Sequence, residues 1–167
     1  LTYTGSTIVA DGALGVAAAL PTTPGLGSNL VLSGGVFSPG TSFSRALSTA
    51  GNQVQIIGSG GFWANGANKT ARFGTSTSTL MTWASTPFFL GDGATFLLNH
   101  EASGFKITFQ QPISFNGAVR TVEVRNGTAA IDAVIWKLFG ERWAVMFTDL
   151  IGFSRNVAEF GIVQFLQ

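Results

Sequence analysis

The clearest periodicity in the chain is FKITFQ at 105–110, where Phe105, Ile107 and Phe109 alternate with Lys106, Thr108 and Gln110. A period of two puts the apolar side chains on one face of a strand and the polar ones on the other. Short stretches of similar character recur at 7–10, 29–32, 53–57, 69–73, 79–83, 95–98 and 119–124, each bounded by Gly, Asn, Asp or Ser. Their β-branched and aromatic content predicts short strands separated by turns. Asn65-Gly66, Asn116-Gly117 and Asn126-Gly127 supply turns that tolerate positive φ. The one helix-like pattern in this region, GALGVAAAL at 12–20, is weakened by its glycines.

The pattern also repeats. Gly5-Ser6-Thr7-Ile8-Val9-Ala10-Asp11-Gly12 and Gly27-Ser28-Asn29-Leu30-Val31-Leu32-Ser33-Gly34 share G-S-x-[IL]-V-x-x-G at an offset of 22 residues. A period of that length suits a solenoid, in which a turn of chain cannot bury its apolar face alone and stacks on its neighbour. A parallel β-solenoid and a β-sandwich both accommodate many short strands with polar corners.

Beyond about residue 134 the composition changes. Residues 1–134 hold 19 of the 22 glycines and 30 Ser or Thr but only 11 charged residues, whereas 135–167 hold six charges and two Ser or Thr. The reading is therefore a β-solenoid region over 1–134 and a distinct segment over 135–167, with the boundary at 134–139. In the second segment 143–147 reads as a buried strand, Gly152 as a tight turn, Ser154 as an N-cap and 156–167 as an amphipathic helix. Asp149 falls at the strand's C-terminal end, inside an apolar run. A carboxylate there needs a cation, a metal or several N–H donors.

Composition narrows the function classes. With 46% hydrophobic and 10% charged residues, the chain has the material for a core. A net charge of +1 gives no overall electrostatic footprint for nucleic acid or an anionic membrane. The absence of cysteine removes disulfides, thiolate metal sites and cysteine nucleophiles. No uninterrupted apolar run approaches the roughly 18 residues of a membrane span. The opening LTYTGSTIVADG has neither the charged nor the apolar region of a signal peptide, so the chain is expected to begin inside a larger protein.

Candidate chemistry in the β-rich part is sparse. The glycine-rich stretch 58–66 lacks the Gly-Lys-Ser/Thr ending of a phosphate loop and reads as turn geometry. His100 beside Glu101 reads as a solvated turn, with no second histidine to share a metal. Phe62, Trp63, Trp83, Phe88 and Phe89 are read first as core and second as a carbohydrate-stacking platform. Asn68 and Asn126 each head an N-glycosylation sequon.

Two resemblances follow from longer motifs. TYTGSTIVADGAL, with the later runs 43–74 and 79–135, resembles the autotransporter-associated β-strand repeat of bacterial surface passenger proteins. That resemblance implies a right-handed parallel β-helix, an extracellular or cell-surface location, and a scaffold or adhesive role without catalysis. Its partners would be neighbouring β-helix repeats of a longer chain, and surface glycans or proteins.

FTDLIGFS at 147–154 resembles the first strand of a class III adenylate or guanylate cyclase catalytic domain. The resemblance implies that Asp149 is a ligand of two divalent cations, magnesium or manganese, and that Ile151 ligates one through its carbonyl. Gly152, Phe153 and Ser154 would then form the backbone turn toward the triphosphate. The second metal-binding Asp, the base-recognition residues and the transition-state Asn and Arg of that family have no match in this chain. The site is therefore read as vestigial, with no catalytic residue and no cofactor expected.

The leading expectation is a non-catalytic passenger segment of mainly β, right-handed parallel solenoid fold with a short strand-helix appendage. The alternative is a truncated cyclase with a β-rich accessory region, inactive as given and cytoplasmic over its cyclase-like segment. The two compartments conflict, so a chimeric reading frame is a third reading, and a carbohydrate-binding module resting on the aromatics is a fourth.

Overall fold

Every strand pair in the computed structural model is parallel. The structure describes residue 3 and residues 5–17 and 27–139, which contain strands and turns and no helix. In chain order the strands are β1 (Thr7–Val9) and β2 (Ala13–Gly15), then β3 (Leu30–Leu32) and β4 (Val36–Ser38), then β5 (Val54–Ile56), β6 (Gly60–Phe62) and β7 (Lys69–Ala71). They continue with β8 (Met81–Thr82), β9 (Thr95–Leu98), β10 (Ile107–Ser114), β11 (Thr121–Val124) and β12 (Ala133–Phe139). Equivalent strands of successive turns lie side by side. Sheet A is β1-β3-β5, sheet B is β2-β4-β6-β9-β11, and sheet C is β7-β10-β12 with β8 beside the second half of β10.

This is a parallel β-solenoid of about five turns. The β-sandwich alternative is overturned, because a sandwich of this kind is built from antiparallel strands. Of the helix-like stretch at 12–20, residues 12–17 are described and contain no helix, and 13–15 form β2 beside β4. Its apolar pattern was too short to separate the two periods.

Register refines the repeat. Thr7 stands beside Leu30, and Leu30 beside Val54, so a turn takes 23 and then 24 residues where the motif suggested 22. The one-residue difference decides which way side chains point. Val9 is buried beside the buried Leu32, while Ile8 is 63% exposed. At an offset of 22, Ile8 would stand beside Leu30, which is fully buried.

Inward side chains form one continuous core from Val9 to Phe115. A run of aromatic rings threads it: Phe37, Phe43, Phe62, Phe73, Phe89, Phe96 and Phe109, with successive centroids 4.9 to 6.1 Å apart. Most pairs meet edge to face, a geometry that contributes about 0.5–1.5 kcal/mol per pair beyond burial. One column of sheet B shows the stacking: Leu14 beside Phe37, Phe37 beside Phe62, Phe62 beside Leu98 and Leu98 beside Val124.

The turn that follows β7 is longer than the others. Lys69 pairs with Ile107, a step of 38 residues, whereas Ile107 pairs with Ala133, a step of 26. The chain leaves the stack after Ala71 and rejoins sheet C at Met81. Gln111, fully buried in β10, fills the gap: its amide oxygen accepts from Phe73 N at 2.6 Å, and its NH2 donates to Phe73 O at 2.8 Å and Ser76 O at 3.0 Å. A side chain here replaces the ladder hydrogen bonds that a continuous strand would have made.

Corners are satisfied in the same way. Asn99 is buried at a φ of 66°, a conformation Asn tolerates better than most residues. Its Oδ1 accepts from Ala64 N at 3.3 Å, and its NH2 donates to Phe105 O and Asp132 O, both at 3.0 Å, joining three turns. Arg45 donates to the Ser28 carbonyl. Burial lowers the pKa of its guanidinium and Tyr3 acts in the opposite direction.

Candidate functional site

Four of the five aromatics singled out from the sequence are core or near-core residues. Trp83 and Phe62 are fully buried and Phe89 and Trp63 nearly so, leaving only Phe88 exposed, at 41%. They form no stacking platform. Trp63 lies on the outside of sheet B but is covered: it packs with Val36 and Leu97, its ring sits 5.3 Å from His100, and its Nε1 donates to Leu14 O at 3.2 Å. A side chain at Gly15 would meet this indole, a Cβ there lying 3.2 Å from Trp63 Cζ2.

Three further candidates have structural roles. His100 Nδ1 accepts from Ala102 N at 3.1 Å, closing its turn. Within 58–66 the chain forms β6, so Gly60 and Gly61 are strand residues. Asn68 Oδ1 accepts from Lys106 N at 2.9 Å, which fixes a corner. Among the described residues no group of three or more His, Cys, Asp or Glu is placed to hold a metal ion. Asp149, Ile151, Gly152, Phe153 and Ser154, together with the strand at 143–147 and the helix at 156–167, lie outside the described residues.

What the fold does assemble is the outer face of sheet C. In β10, Ile107, Phe109, Gln111 and Ile113 are buried while Thr108, Gln110, Pro112 and Ser114 are half-buried. From Ile107 on this is the alternation read from FKITFQ, continued to Ser114, whereas Phe105, read as inward, precedes the strand and is exposed. Thr70 of β7 and Val134 of β12 flank Thr108 in register. One step along, Arg72 Nη1 donates to Gln110 Oε1 at 3.3 Å.

The β12 register slips at this point. Phe109 pairs with Ile135 and Pro112 with Lys137, so Gln110 and Gln111 together face Trp136 across a bulge. Ile135 and Leu138 pack on the core, whereas Trp136 is 56% exposed and Phe139 41% exposed. The Lys137 ammonium sits 4.7 Å over the Phe139 ring, a cation–π contact that holds the charge at the surface. The face thus combines an exposed indole, an amide, hydroxyls and cations. The alternation in FKITFQ places Lys106, Thr108 and Gln110 on one side of a strand but does not connect them to Arg72 or Trp136. Turn lengths of 23 to 38 residues hide that neighbourhood.

Comparison with protein-family models, with curated proteins and with solved structures found no match.

Proposed function

We propose that the chain is a non-catalytic structural segment of an exported bacterial surface repeat protein, acting as a scaffold or adhesive stalk. The observation that carries this reading is the ladder of sheet B, five strands deep with one strand from each turn. Each turn covers the inward side chains of its neighbour, so no turn has a core of its own, and such a stack lengthens by adding turns. Leu14 in the first turn is half-buried and Val124 in the fifth is 39% exposed, so both ends of their column offer apolar surface to neighbouring repeats of a longer chain.

Export is tested by treating intact cells that make the protein with a protease and probing with an antibody to this segment. Loss of the signal without lysis is the expected result. Full protection, with the protein in the cytosolic fraction, overturns the reading. The non-catalytic part is tested by incubating the purified chain with ATP or GTP and manganese, where the expected outcome is no cyclic nucleotide; detectable product overturns it.

A further inference from the structure

We propose that the outer face of sheet C, centred on Trp136 and Gln110, binds a linear acidic polysaccharide whose sugars carry carboxylates. This inference stands apart from the scaffold reading, because it rests on the charges and groups of one face and holds in whichever compartment the chain works.

The first argument is charge. Of the five described carboxylates, Asp92 pairs with Arg120 at 2.5 Å and Glu123 with Arg125 at 2.8 Å, Asp11 accepts from Gly12 N at 2.7 Å in the first turn, and Glu101 is exposed in the turn after β9. Asp132 precedes β12 but turns to the corner, where its Oδ1 accepts from Gly127 N at 2.9 Å and Asn99 Nδ2 at 3.1 Å. The strands of sheet C carry no Asp or Glu. Lys69 of β7 donates to Gly40 O at 2.7 Å, which leaves Arg72, Lys106 and Lys137 as the cations of the outer face, and none of these three has a carboxylate partner among the described residues. Arg72 Nε is buried with no hydrogen-bond partner among the described residues, while its Nη1 reaches Gln110 on the outer face. An anionic ligand supplies the missing counter-charge for the face.

The second argument is the neutral part of the surface. An exposed indole offers a flat apolar area to the C–H face of a pyranose ring. Beside it the Gln110 amide oxygen is engaged by Arg72, and among the described residues its NH2 has no acceptor. Thr70 and Thr108 present hydroxyls on adjacent strands, spaced by about 4.8 Å along the stack. Sugar hydroxyls match such mixed donors and acceptors, and the row runs along the solenoid axis as a linear glycan would. Three cations fall short of the roughly 6–10 phosphate contacts that drive tight nucleic-acid binding, so the aromatic and the amide decide for a glycan.

The test measures binding of the purified chain to polygalacturonate, alginate and hyaluronate, with neutral dextran and duplex DNA as comparators. The expected result is saturable binding to at least one acidic glycan that weakens with added salt, and none to dextran. Trp136→Ala and the Lys106→Gln/Lys137→Gln double variant each weaken it about tenfold. Their circular dichroism and melting temperature should match the parent, since the substituted side chains lie at the surface. Failure to bind any of the three, equal affinity for dextran or for DNA, or unchanged binding by folded Trp136→Ala overturns the proposal.

Discussion

Gln111 shows how much one side chain can carry in a ladder that is interrupted. It is fully buried and meets both backbone groups of Phe73, where the chain departs from sheet C. Replacing it with Leu would preserve volume approximately but leave a buried N–H and C=O without partners. Each such orphan costs about 1–3 kcal/mol. Gln111→Leu is therefore expected to lose about 2–4 kcal/mol, lowering the melting temperature by about 5–10 °C. Gln110→Leu, one residue away on the outer face, should stay within about 1 kcal/mol. Thermal unfolding of the two variants side by side checks this, and equal losses would show that the clamp is not what holds the excursion.

Strands are the scale at which sequence and structure part company. The strands at 7–9, 30–32, 54–56, 69–71 and 95–98 were legible because branched and aromatic residues sit between turn residues. β6 was hidden, since a Gly-Gly pair reads as a turn until its neighbour is known. A Cβ at Gly61 would lie 1.7 Å from the Leu97 carbonyl oxygen, so the glycine is demanded by a strand 36 positions away. The outer face of sheet C was half legible: β10 shows its alternation locally, but Trp136 joins it through a register and a bulge that only the fold sets.

The same dependence on register yields an element-scale prediction. An alanine inserted between Val31 and Leu32 turns one end of β3 inside out and should lower the melting temperature by more than about 10 °C. The same insertion between Thr77 and Ser78, in the excursion that leaves the stack, should change it by about 2 °C or less. Differential scanning calorimetry of both variants decides, and equal effects would mean that the excursion is part of the ladder after all.

At the scale of the whole molecule, the Trp63 indole breaks the simplest description of a solenoid. Turns in such a protein usually touch only the turns beside them, so stability is a sum of neighbour terms. Trp63 follows β6 in the third turn, yet its Nε1 donates to Leu14 O in the first turn and its ring rests against His100 in the fourth. Hydrogen exchange should find amides of β1 to β6 opening together in the parent chain. In Trp63→Phe, which lacks the donor, protection of 7–15 should fall about tenfold relative to 54–62, and unchanged relative protection would remove the coupling argument. A tie that skips a turn acts as a splint: a zipper can part tooth by tooth from its end, whereas a splinted one must loosen several teeth in the same event. The first three turns are thereby made to fail late and together, so an incoming chain or a protease meets either a closed stack or a fully open end, with few half-open forms between.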